Sequence, residues 1–133
     1  MRSTTEQWLQ KIAELAVALN ERTNHVNAQL EEIEDYLTRV GVGVDTRNRD
    51  VRVDVDGVTW ALGYCRVNTA AGNAYRLAAW LRGEPGSTDA EPRVLLNCPR
   101  AVRVAALDVI DSVLFAILQR QKDLLEKTEA VPS

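Results

Sequence analysis

The feature that most constrains this chain is a stripe of apolar or near-apolar residues between positions 8 and 40. Its members are Trp8, Ile12, Leu15, Leu19, Thr23, Val26, Leu30, Ile33, Leu37 and Val40, separated by steps of 4, 3, 4, 4, 3, 4, 3, 4 and 3. Steps of three and four place every member on one side of an α-helix and make a heptad seam, and the extra four-residue step between Leu19 and Thr23 is a stutter in it. A seam of this kind has to be covered by another helix. Ser3-Thr4-Thr5-Glu6 fits a capping box, which starts the helix near Thr4. Gly41-Val42-Gly43 stops it, because glycine takes the left-handed conformation at a helix end with little steric cost. An uninterrupted helix over 4–40 is about 55 Å long at 1.5 Å per residue.

A helical hairpin turning in Asn20-Glu21-Arg22-Thr23-Asn24 is the alternative. That stretch has neither Gly nor Pro and the seam passes through it, so a single helix is favoured. The first half is broader on its apolar side, with Leu9, Ala13, Ala16 and Val17 beside the seam, whereas the second half carries Glu31, Glu32, Glu34 and Asp35. This asymmetry predicts that residues 8–19 are the more deeply buried and share a core with the helix that follows Pro99. Residues 23–40 are then the more exposed arm, or the part that meets another chain.

From Asp50 the period changes to that of a strand. Val51, Val53 and Val55 alternate with polar residues, and Asp56-Gly57 is a two-residue hairpin turn. Pairing Val55 with Val58 sets Val53 opposite Trp60 and gathers Val51, Val53, Val55, Val58, Trp60, Leu62 and Tyr64 on one face. A third strand, 74–81, pairs Val67 with Ala74 and adds Tyr75, Leu77, Ala79 and Leu81. The other face has small residues with Arg52, Arg76 and Trp80, less charge than a solvated face carries. It is read as a partner-binding surface, since Trp and Arg are enriched where proteins recognise one another.

Residues 82–93, with Gly83, Pro85, Gly86 and Pro92, read as a mobile loop. Val94-Leu95-Leu96 is a candidate short fourth strand. Pro99 suits the first position of a helix, where its missing N–H would be unpaired anyway. That helix is expected over 99–127, apolar nearly all round from Ala101 to Leu118 and therefore covered on more than one side.

The chemistry is thin. His25 is the sole histidine and sits in a polar helical stretch, and Cys65 and Cys98 match no metal or redox spacing. Neither a catalytic set nor a metal or cofactor site is implied. Asp108 and Asp111, spaced i, i+3 on a mostly apolar helix, are the carboxylates from which an enzyme with a site in a dimer cleft would be built. Arg100 and Arg103 stand where a helix N-terminus normally attracts acids, which makes them an anion-binding candidate. A net charge of −3 argues against a surface devoted to nucleic acid. No apolar run approaches the roughly 20 residues of a membrane span. The free cysteines and the polar start suggest a reducing, cytoplasmic setting.

With an apolar share of 46%, residues 1–133 form one globular α+β domain: long coiled-coil-like helix, antiparallel meander, long C-terminal helix on the sheet. In layout alone it resembles small acidic α+β secretion chaperones and small nucleoid-associated proteins with a long first helix, without a motif of either. The reading is a non-enzymatic, self-associating interaction module, adaptor or chaperone-like. It pairs as a homodimer through a seam of Trp8, Ile12, Leu15, Leu19, Val26, Leu30, Ile33 and Leu37. The alternative is a small nucleoid-associated-like dimer that binds anions or nucleic acid through Arg100 and Arg103.

Overall fold

The structure is a computed structural model that describes residues 3–84 and 86–130. Helix α1 runs unbroken over Ser3–Arg39, so the Asn20–Asn24 stretch does not turn. Ser3 is already helical, and the residues before it lie outside the described ones, as does Pro85. At the other end Gly41 takes φ +76°. The Val42 N–H returns to the Leu37 carbonyl at 3.0 Å and the Gly41 N–H to Thr38 at 3.1 Å, the paired bonds by which a left-handed residue satisfies the last carbonyls of a helix.

Four strands follow, β1 Arg52–Val55, β2 Val58–Thr69, β3 Gly72–Leu81 and β4 Arg93–Val94, antiparallel in the order β1-β2-β3-β4. Asp56 and Gly57 both have positive φ, 52° and 79°, which matches the twist of the strands they join. Val55 pairs with Val58, Val53 with Trp60, and Val67 with Ala74. The fourth strand is shorter than its apolar run: after Val94 the chain enters a 3-10 turn over Leu95–Asn97. Leu95 is thus removed from the β3 edge, where it would have lain opposite Leu77.

The C-terminal segment is two helices, not one. Helix α2 covers Arg100–Asp108 and α3 covers Ile110–Ala130, with Val109 between them at φ −117°, ψ 16°. No Gly or Pro marks the break. It allows α2 to lie along α1 and β1 while α3 turns onto β2. One sheet face, with Val53, Trp60, Leu62, Tyr64, Leu77 and Ala79, forms the main core with the second half of α1, α2 and α3. The helices therefore sit on one side of the sheet.

The other face holds a smaller cluster of Ala61, Cys65, Val67, Ala78, Trp80 and Val94. It is covered by the chain itself. Thr46 donates its N–H to the Tyr64 carbonyl and accepts the Tyr64 N–H on Oγ1, both at 2.9 Å, which carries the β1 edge onward along β2. The Trp80 indole lies across Gly63, where a Cβ would come within 3.1 Å of the ring and 2.9 Å of Thr46 Oγ1. Residues 47–49 and 87–92 flank that indole.

Candidate interaction surface

The seam is divided in two. Thr23, Val26, Leu30, Glu34 and Leu37 are buried, with Ile33 packed beside them, whereas every residue from Ser3 to Arg22 is exposed. Trp8 is 67% exposed, Ile12 61%, Leu15 56% and Leu19 47%. This reverses the expectation that the first half is the buried one. The broad apolar side of residues 8–19 does exist, but no other element of the described chain reaches it, because α2 meets α1 only from about Asn20 onward. At that meeting Arg100 donates to Asn20 Oδ1 at 3.1 Å and Arg103 to Asn27 Oδ1 at 2.6 Å. The arm of 20 residues, about 30 Å of helix, leaves the body where the stutter falls.

At the foot of the arm lies an open groove of about 470 Å³ between Leu19, the α2 residues Arg100, Ala101, Val104, Ala105 and Asp108, and the hairpin residues Asp54, Val55 and Asp56. Its floor is aliphatic and its rim is charged. Helix α3 carries further exposed apolar side chains, Phe115 at 59% and Leu125 at 60%.

The acidic-sided second half of α1 is buried through a use of its acid. Glu34 is 5% exposed, and its Oε2 accepts the Leu77 N–H at 2.9 Å while Oε1 accepts Arg76 Nε at 2.8 Å. The carboxylate thus satisfies the β3 edge where β4 has turned away, and a buried charge with this set of partners is stable where an unpaired one is not. The spacing of Val26, Leu30, Glu34 and Leu37 placed Glu34 on the buried side. Its charge concealed that in the sequence.

The residues read as a sheet-face partner surface are not brought together as one. Trp80 is 4% exposed beneath the flanking segments, Arg76 is tied to Glu34, and only Arg52 is fully exposed. Nor do Arg100 and Arg103 converge on an open anion site, since both turn towards asparagines of α1. The Arg103 Nε is buried without a partner among the described residues. Asp108 and Asp111 are both exposed, so the supposed cost of carboxylates on an apolar helix does not arise.

His25 is exposed as well. The two free thiols are buried, and burial drives the Cys65 thiol up to about 11, helped by the Asp45 carboxylate and opposed by Arg47. Burial also raises Cys98, against the pull of Arg93 and Arg103. Thiols held protonated in this way are poor nucleophiles. Among the described residues no group of three or more His, Cys, Asp or Glu is placed to hold a metal ion. No described helix is long and apolar enough to cross a membrane. No protein-family model, curated protein or solved structure matches the chain.

Proposed function

We propose that this chain is a non-enzymatic, self-associating module of the adaptor kind, whose contact element is the first half of α1 and whose rigid base is the sheet with its packed helices. One observation carries the reading: five large apolar side chains, Trp8, Leu9, Ile12, Leu15 and Leu19, stand between 47% and 67% exposed along one side of the helical arm. Monomeric proteins seldom leave a contiguous apolar patch of this size in water, and an aromatic anchor within such a patch is typical of an interface centre. The seam spacing favours a helix as its cover, and a second copy of the chain supplies one. The two buried thiols, set in different clusters, support a reducing, cytoplasmic setting.

Sedimentation equilibrium tests this. The full chain is expected to be dimeric at micromolar concentration. Ile12→Glu, which places a charge in the seam, is expected to raise the dissociation constant by at least about tenfold, or 1.4 kcal/mol, with helix content unchanged. A monomer persisting to roughly 100 μM, weaker than a specific micromolar complex, would overturn the proposal.

A further inference from the structure

Resting on that reading, we infer that two copies pair antiparallel about a two-fold axis, each arm seating its Trp8 at the groove beside the other copy's Leu19. The steps within Trp8, Ile12, Leu15 and Leu19 are 4, 3 and 4, a spacing that reads the same from either end. A two-fold axis passing between Ala13 and Glu14 therefore sets Trp8 opposite Leu19 of the second copy and Ile12 opposite Leu15. This is the self-complementary contact that a closed dimer requires. Each bulky indole then meets a leucine, where a parallel pair would stack Trp8 on Trp8.

The base of the arm provides for the indole. Leu19 shares its groove with Ala101, Val104 and Ala105, and the two alanines leave an aliphatic hollow in which a ring can lie. The rim carries Asp54, Asp56 and Asp108 against the single cation Arg100, and Lys11, one turn from Trp8, brings positive charge towards that net negative edge. A specific interface needs roughly 800 Å² from each partner. The half-exposed arm residues from Trp8 to Leu19 extend along about 17 Å of helix, and the groove continues the contact from Leu19 onto α2 and the β1–β2 hairpin.

Parallel pairing meets an obstacle. Leu19, Val26 and Leu30 lie on one side of α1, and from Asn20 onward that side carries α2, held by the Arg100–Asn20 and Arg103–Asn27 hydrogen bonds. A parallel second copy, itself continuous to Arg39, would run on into α2. An antiparallel one meets α2 only with its arm tip, Ser3–Gln7 lying opposite Asn20–Asn24, and carries its own body away in the opposite direction.

Spin labels on the full chain test the geometry, with the buried native thiols left in place. In the antiparallel dimer, labels at Glu6→Cys on both copies are offset by 15 residues along the axis, about 22 Å. Labels at Glu6→Cys on one copy and Glu21→Cys on the other have no such offset. Distances by pulsed dipolar spectroscopy are therefore expected to be shorter for the cross-site pair than for the same-site pair, by on the order of 10 Å. The reverse order would overturn the antiparallel arrangement while leaving self-association standing, and absence of coupling in a monomeric sample would overturn both. Ala101→Glu tests the groove, since an acid in the first turn of α2 suits the helix dipole and leaves the fold intact. It is expected to weaken the dimer at least about tenfold at unchanged thermal stability. An unchanged dissociation constant would remove the seat proposed for Trp8.

Discussion

The two halves of α1 share one helical stripe and one backbone conformation, yet one half is core and the other is surface. Residues 3–22 carry the wider apolar side and are exposed throughout, while residues 23–37, narrower and flanked by acids, hold Leu30 at 0% and Glu34 at 5% exposure. The contrast teaches that width of an apolar stripe measures how much cover a helix needs, not where the cover comes from. The second half is covered within the chain by α2, β3 and the 3-10 turn at Leu95–Asn97, and its one inward acid ends the β3 edge. The first half has the stronger claim to a partner and finds none among the described residues.

The sharpest way to break this contrast is a pair of identical truncations. Leu30→Ala is expected to cost about 3 kcal/mol, the usual consequence of emptying a fully buried leucine site. Leu15→Ala should cost less than about 0.5 kcal/mol of monomer stability and act on the dimer instead. Urea unfolding at a concentration below self-association measures both, and equal costs would mean that the arm is folded onto the body. Glu34→Ala comes next. It leaves the Leu77 N–H without its acceptor and Arg76 without its carboxylate, at about 2 kcal/mol, less than a fully buried pair because Arg76 is partly solvated. Glu34→Gln, whose amide oxygen still accepts a hydrogen bond, should recover part of that loss in the same unfolding measurement.

The smallest effect concerns the buried thiols of the body. With Cys65 raised to about 11 from an ordinary 9.0, the unfolded chain gives up the proton before the folded one does. Stability is then fully present below pH 9 and is lost progressively as the pH rises towards 11. Denaturant midpoints taken across that range check the sign. At pH 8 a thiol reagent should modify Cys65 only after unfolding, whereas a cysteine introduced at Glu6 on the arm should react at once.

Much of the fold was legible because it rests on local chemistry. The Asp56-Gly57 turn, the pairing of Val53 with Trp60, the Gly41 stop and the continuity of α1 through Asn20–Asn24 all follow from residues close in sequence. The candidate site was half legible. Trp8, Ile12, Leu15 and Leu19 were identifiable as a seam, but Val26, Leu30, Ile33 and Leu37 belonged to the same seam and proved to be core. Trp80 looked open because the segments that flank it, 47–49 and 87–92, are distant in sequence and have no period of their own. The break at Val109 left no mark either, since it answers to the separate directions of α1 and β2.

The sequence by itself determined which residues share a side of a helix or a face of a sheet, because 3.6- and 2-residue periods are properties of the backbone. Only the tertiary structure decided which of those sides is covered. Cover is a contact between residues far apart in the chain: α2 reaches α1 from Asn20 onward and no further. The stutter between Leu19 and Thr23, a small irregularity in the sequence, is where the chain's own core ends and its exposed arm begins.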